Sequence, residues 1–174
     1  MNNHNDAPAV RDVLKRPDIP ACLRICAGTD GSITQLLEVL TGKSVKVETI
    51  SQNVVKATPE IAKLLDIETG DDVNDRLVTL KVDDIVYVLA KSLTPINRIP
   101  QGVREDLMRA DIPIGRILRE HRLETRRDIL KMEIVHRDFF GDLPVLSREY
   151  KIIYENAVLM WINECFPVDE RWKM

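Results

Sequence analysis

The sequence predicts an α+β domain built on a largely antiparallel sheet. Three observations carry that prediction. Apolar, strand-like runs come in two pairs, each joined by a two-residue polar turn, Asp83-Asp84 and Glu155-Asn156, which is the pattern of β-hairpins. The helical stretches are grouped between strands instead of alternating strictly with them, which favours α+β over a doubly wound sheet. The 174 residues, 44% hydrophobic and 30% charged, suffice for one domain with its own core. No repeat of roughly 20 to 50 residues interrupts this reading.

Residues 1–19, polar and containing two prolines, read as a flexible N-terminal arm, with Met1–Asp6 disordered. Residues 20–174 read as a single domain. Ser32 has the chemistry of a helix N-cap, with Gln35 three residues on. Ile33, Leu36, Leu37 and Leu40 form the apolar stripe of that helix, and Gly42 supplies its C-terminal stop. A short strand is expected near Val45–Ser51. Thr58-Pro59-Glu60 opens a second helix, with threonine as cap and proline at the first helical position. Arg76–Val82 and Ile85–Leu93 make the first hairpin, and Pro95 and Pro100 bracket the loop after it. Residues 101–122 read as two helical segments broken at Pro113. Arg126–His136 fits helical and strand spacing about equally, and a strand from Ile129 is the reading adopted. Leu146–Tyr154 and Val158–Phe166 form the second hairpin, ended by Pro167.

Composition excludes several functions. A net charge of -3 gives no basic footprint for nucleic acid. No apolar run reaches the roughly 20 residues of a membrane span, and the polar N-terminus has no signal-peptide core, so a cytoplasmic location is expected. Cys22, Cys26 and Cys165 are an odd set without a secretory signal, which argues against a disulfide framework. Neither they nor His4, His121 and His136 have the spacing of a metal site. Glycine-rich phosphate loops and nucleophile motifs are missing. A nucleotide cofactor is therefore not expected, and any chemistry must rest on charge placement, not on a metal or a nucleophile.

Two charges stand out. Arg76 shares a strand face with Val78, Leu80 and Val82, and Glu164 with Val158, Met160, Ile162 and Phe166. A charge on an apolar face is costly unless something pairs with it. Arg76 can pair with Asp72 or Asp75, and Glu164 can sit in an internal ion pair; alternatively both line a pocket for a polar ligand. Lys91 interrupts the apolar run Ile85–Leu93 and reads as a further internal cation. Arg122, Arg126 and Arg127 form a basic cluster, either a solvated surface balanced by Glu120, Glu124 and Asp128 or an anion site at a pocket mouth. Trp161 and Trp172 read as core or rim aromatics.

The order of five segments resembles the chorismate pyruvate-lyase family, over about Thr29 to Pro167. They are Asp30-Gly31-Ser32-Ile33-Thr34, Arg76-Leu77-Val78-Thr79-Leu80, Ala90-Lys91-Ser92-Leu93-Thr94-Pro95, Ile112-Pro113-Ile114-Gly115-Arg116 and Asn163-Glu164-Cys165-Phe166-Pro167. Arg104-Glu105-Asp106-Leu107 after the third is typical of the broader lyase-like group. The resemblance implies a chorismate lyase-like fold: a six-stranded antiparallel sheet, helices on one side, and an internal ligand cavity closed by two helical flaps. It implies that Arg76 binds the aromatic carboxylate and Glu164 the ring hydroxyl, with backbone groups of Ile33 and Ile114 completing the site. Lys91 or Arg116 would meet the enolpyruvyl carboxylate of the substrate. The expected activity is a cofactor-independent elimination of pyruvate from chorismate, 4-hydroxybenzoate being the favoured product. The alternative is a non-catalytic binder of a small aromatic acid, since the same architecture serves as the effector-sensing domain of some transcription regulators. The short stretch before Thr29 leaves no room for a helix-turn-helix module, so a free-standing regulator is not expected. The expected partner is a small molecule, not nucleic acid or membrane, and the expected state is a monomer or homodimer.

Overall fold

Two turn dipeptides organise the sheet. Asp83 and Asp84 adopt φ of 48° and 65°, and Glu155 and Asn156 adopt 47° and 64°. Paired left-handed residues make the two-residue turn whose twist matches the flanking strands. The first turn joins β2 (Asp72–Val82) to β3 (Ile85–Pro95), and the second joins β5 (Pro144–Tyr154) to β6 (Ala157–Pro167). The computed structural model describes residues 8–109 and 112–174. In it β1 (Lys46–Lys56) pairs with β2 and β4 (Arg126–His136) with β5. The two three-stranded units meet where β3 pairs with β6, giving a six-stranded antiparallel sheet in the order β1-β2-β3-β6-β5-β4.

Strand alternation puts the apolar residues of the central strands on one face, and helices cover it. They are α1 (Pro8–Leu14), α2 (Ala21–Gly28), α3 (Ile33–Thr41), α5 (Gln101–Met108) and α6 (Ile114–Glu120). One buried cluster joins Leu23, Cys26 and Leu37 of α2 and α3 to Val47, Val78, Leu80 and Phe166. A second joins Val103, Leu107, Ile117 and Leu118 of α5 and α6 to Tyr150, Ile152, Met160 and Ile162. Between α3 and β2 lies α4 (Pro59–Leu65), whose Ala62 and Leu65 pack with Val73, Leu93 and Val158 in a third cluster. Among the described residues, no helix is long and apolar enough to cross a membrane.

The caps follow their residues. Ser32 Oγ accepts from the Gln35 amide at 3.4 Å, and Gly42 closes α3 at φ 67°. Thr58 caps α4 through the Ile61 amide at 3.3 Å, with Pro59 at the first helical position.

Several expectations are corrected. The reading of residues 1–19 as a loose arm fails from Pro8 onward, because α1 forms there and Val10 and Ile19 are buried in the core; Met1–Asp6 lie outside the described residues. No helix was expected over α2, although Leu23, Cys26 and Ala27 bury one face of it. β1 runs five residues past Ser51, through the polar Gln52-Asn53, because it is an edge strand half exposed to solvent. β2 begins at Asp72, not Arg76; Asp72-Val73-Asn74-Asp75 looks turn-like, but both neighbouring strands pair with it. β4 occupies the whole of Arg126–His136, and its register shifts between Ile129 and Lys131, which explains the broken alternation.

Candidate functional site

The two helix-covered clusters leave a cavity where they meet. Its walls are β-strand residues Arg76, Val78, Leu80, Ala90, Ser92, Tyr150, Ile152, Ile162 and Glu164, and its cover is formed by Gly31–Thr34 and Pro113–Gly115. The volume is about 60 Å³, several times the roughly 10–15 Å³ that one water needs. The cavity is therefore more than a packing defect.

Arg76 and Glu164 both reach it. Arg76 is 2% exposed, and its Nη2 donates to the Ile112 carbonyl at 3.3 Å, just before α6. The expected partners of Arg76 are engaged elsewhere: Asp72 pairs with Lys56 at 2.8 Å and Asp75 with Lys91 at 3.2 Å. Glu164 is 6% exposed and sits opposite Arg148 in the β5–β6 pairing. Glu164 Oε2 accepts from Arg148 Nη2 at 2.5 Å and Nε at 3.1 Å, and Oε1 accepts from the Tyr150 hydroxyl at 3.0 Å. The ion pair considered for Glu164 therefore exists, but a cavity adjoins it. A carboxylate oxygen has two acceptor sites, so Oε1 can take a further hydrogen bond from a ligand.

Arg148 carries this arrangement, and sequence reasoning missed it. Its side chain is fully buried, and Nη1 donates to the carbonyls of Cys26, Ala27 and Thr29 at 3.2, 2.8 and 2.7 Å. Burial disfavours its charge, but Glu164 outweighs that, and the guanidinium is held above its ordinary range. Burial, with Glu164 adding to it, also pushes the Tyr150 phenol up, so Tyr150 stays a neutral donor. Arg148 thus ties the acceptor Glu164 to the end of α2, where the chain turns toward the cover.

The cover consists of two helix starts. Ile33 and Ile114, the expected backbone contributors, are the first residues of α3 and α6, and both line the cavity. First-turn amides have no intrahelical acceptor and favour negative charge. The two starts touch: a Cβ added to Gly115 would lie 3.0 Å from Ser32 Oγ. Arg119 of α6 also donates to the Gln35 side chain of α3.

The structure does not bring Lys91 and Arg116 into the cavity. Lys91 lies on the opposite sheet face from Ala90 and Ser92, 45% exposed, so it is a surface cation and not an internal one. Arg116 projects outward from α6 and pairs with Glu120 at 2.8 Å. The Arg122, Arg126 and Arg127 cluster divides: Arg122 and Arg126 are exposed, whereas Arg127 lines the cavity. Trp172 is a core aromatic, its Nε1 donating to the Pro167 carbonyl at 2.7 Å, and Trp161 is half-buried. Among the described residues, no group of three His, Cys, Asp or Glu side chains could hold a metal ion.

Known proteins resemble this chain in sequence and in fold. The family model described as "Chorismate pyruvate-lyase Rv2949c-like" matches residues 28–173. The "Putative lyase MJ0807" of Methanocaldococcus jannaschii is 40% identical over 159 residues, covering 83% of this chain and 77% of that protein. A "Chorismate pyruvate-lyase" of Mycobacterium leprae is 30% identical over 129 residues, covering 74% of this chain and 59% of that protein. Among solved structures, the effector domain of PhnF from Mycobacterium smegmatis superposes with a TM-score of 0.62 at 16% identity, covering 79% of this chain and 88% of that one. That likeness concerns the fold alone.

Proposed function

The chain belongs to the Rv2949c-like chorismate pyruvate-lyase family, and on that premise we propose that its cavity takes chorismate and eliminates pyruvate to leave 4-hydroxybenzoate. One observation carries the reading: a buried arginine and a buried, fixed carboxylate acceptor face the same cavity from different strands. Arg76 grips the ring carboxylate as a two-toothed fork. The ring hydroxyl donates to Glu164 Oε1, and amides at the starts of α3 and α6 complete the carboxylate's hydrogen bonds.

The reaction asks little covalent chemistry of the protein. The ring-to-ether C–O bond breaks, the ring loses one proton and becomes aromatic, and the released enolpyruvate gains one proton to become pyruvate. Aromatisation drives it forward. The protein's task is to orient the ring and stabilise charge on the departing oxygen. Glu164, fixed by Arg148 and by the Tyr150 hydroxyl, keeps an acceptor site on Oε1 for the ring hydroxyl.

The test is incubation of the purified protein with chorismate, read by chromatography for pyruvate and hydroxybenzoate. Equal amounts of both, lost in Arg76→Ala, support the lyase and identify the isomer. No product, with 4-hydroxybenzoate still raising the melting temperature, overturns the lyase in favour of an aromatic-acid-binding protein.

A further inference from the structure

We infer that Arg127 is a second carboxylate-binding residue of the cavity, and that it selects a dianionic substrate over its monoanionic product. This rests on the lyase reading for the identity of the substrate, and on geometry for the subsite itself.

β4 alternation separates Arg127 from its neighbours. Arg126 and Asp128 turn outward to each other, Nε to Oδ1 at 2.7 Å and Nη2 to Oδ2 at 3.0 Å. Arg127 turns inward and lines the cavity. Its Nη1 donates to the Asp30 carbonyl at 2.6 Å, a neutral partner that leaves its charge uncompensated. Its Nε is buried without an acceptor. Among the described residues no carboxylate pairs with it. A guanidinium presents a fork through Nε and one Nη, and here that edge has a buried donor still to be satisfied. Leaving such a donor unpaired is costly, which is a reason to expect an anion there.

The sheet order gives the subsite its place. Glu164 lies on β6, Arg76 two strands away on β2, and Arg127 two strands away on the other side, on β4. Tyr150 links the last two: its hydroxyl bonds Glu164 at 3.0 Å, and the Arg127 guanidinium lies 6.0 Å from its ring centre. A ring bound with its carboxylate at Arg76 and its opposite hydroxyl at Glu164 can turn the substituent beside that hydroxyl toward Tyr150 and Arg127, which line the same cavity. In chorismate that substituent is the enolpyruvyl ether, which carries the second carboxylate. Arg127 therefore takes the role expected of Lys91 or Arg116. Its charge lies toward the leaving group, where negative charge develops, and 4-hydroxybenzoate has nothing to offer it.

The experiment compares Arg127→Gln and Arg127→Lys with the native protein. Three quantities are measured: kcat and KM for chorismate, calorimetric affinity for 4-hydroxybenzoate, and affinity for a stable dianion, a benzoate bearing a carboxyvinyl ether at ring position 3. Loss of a charged hydrogen bond predicts that Arg127→Gln lowers kcat/KM and dianion affinity by about tenfold to a hundredfold. It should leave 4-hydroxybenzoate affinity within about twofold, and Arg127→Lys should recover part of the loss. Equal weakening of both ligands overturns the inference and makes Arg127 only a tether for Asp30. Unchanged kcat/KM in Arg127→Gln overturns the subsite and leaves the lyase reading intact. If the native protein forms no pyruvate but holds the dianion, and Arg127→Gln loses it, the lyase reading falls and the subsite stands.

Discussion

A buried charge is costly unless a partner of opposite sign compensates it. Arg148 holds Glu164, and it also spends three hydrogen bonds on the end of α2. Removing the arginine strands a buried negative charge, so Arg148→Met should lower unfolding free energy by about 3–5 kcal/mol. The added change Glu164→Gln removes the stranded charge, so the double variant should lose less than the sum of the single changes. Urea unfolding of the four proteins measures this, and strict additivity would mean that the pair does not act as one unit. Glu164→Gln alone tests the acceptor role. Its turnover should fall more than its affinity for benzoate, which has no ring hydroxyl, and equal losses would reassign the residue. The sequence displayed Arg76 and Glu164 because each interrupts an apolar face. Arg148 was open to the same test, between Leu146 and Tyr150, but Glu149 and Lys151 around it made the stretch look like solvated alternation. Counting outward from Glu155-Asn156 pairs residue 148 with residue 163; the register shift at Ile152/Ile153 moves Arg148 opposite Glu164 instead. A bulge is not visible from one strand's sequence.

At the scale of elements, hairpins and caps were legible because their causes are local. Paired turn residues, Ser32 and Thr58 each act within four residues of themselves. The strand ends at Asp72–Asp75 and Gln52–Lys56, and the α1–α2 segment, were not, since tertiary pairing supplies the burial that their composition does not advertise. The contact between the starts of α3 and α6 is likewise tertiary, and Gly115 makes it possible. Alanine at position 115 gains up to about 1 kcal/mol in helix propensity, but its Cβ would press on Ser32 Oγ and Cβ at 3.0 and 3.3 Å. Displacing that hydroxyl loses an N-cap worth about 1 kcal/mol, so Gly115→Ala should be close to neutral. In a Ser32→Gly background, where the clash is absent and glycine still caps tolerably, the same change should be more favourable by about 1 kcal/mol. Urea midpoints of the three variants and the native protein give that difference. A difference near zero would mean that the two helix starts do not constrain each other.

At the scale of the molecule, the sheet is two three-stranded units joined by one seam, Leu89–Leu93 against Trp161–Cys165, and the cavity straddles it. Arg76 comes from one unit, Glu164 and Tyr150 from the other, and α2 roofs both. Cys26 reports on that roof. Burial, opposed by Arg148, pushes its thiol up to about 12, well above its ordinary value of 9.0. The unfolded chain therefore loses this proton first. Between pH 9 and 12 the folded protein binds more protons than the unfolded one, so stability from this group is full below that window and declines as pH rises through it. In neutral solution the same burial makes Cys26 unreactive toward iodoacetamide unless α2 lifts. Lifting α2 breaks the Arg148 bonds to its carbonyls and frees Glu164, which lines the cavity, to reorient. A ligand bound across the seam must then be released first. At one hundred times its dissociation constant, 4-hydroxybenzoate should stabilise the closed form by about 2.7 kcal/mol, which slows Cys26 labelling by about a hundredfold. Mass mapping separates this thiol from the half-buried Cys22 and from Cys165. If bound ligand left Cys26 labelling unchanged while still raising the melting temperature, α2 would open independently of the cavity, and Arg148 would not couple the roof to the site.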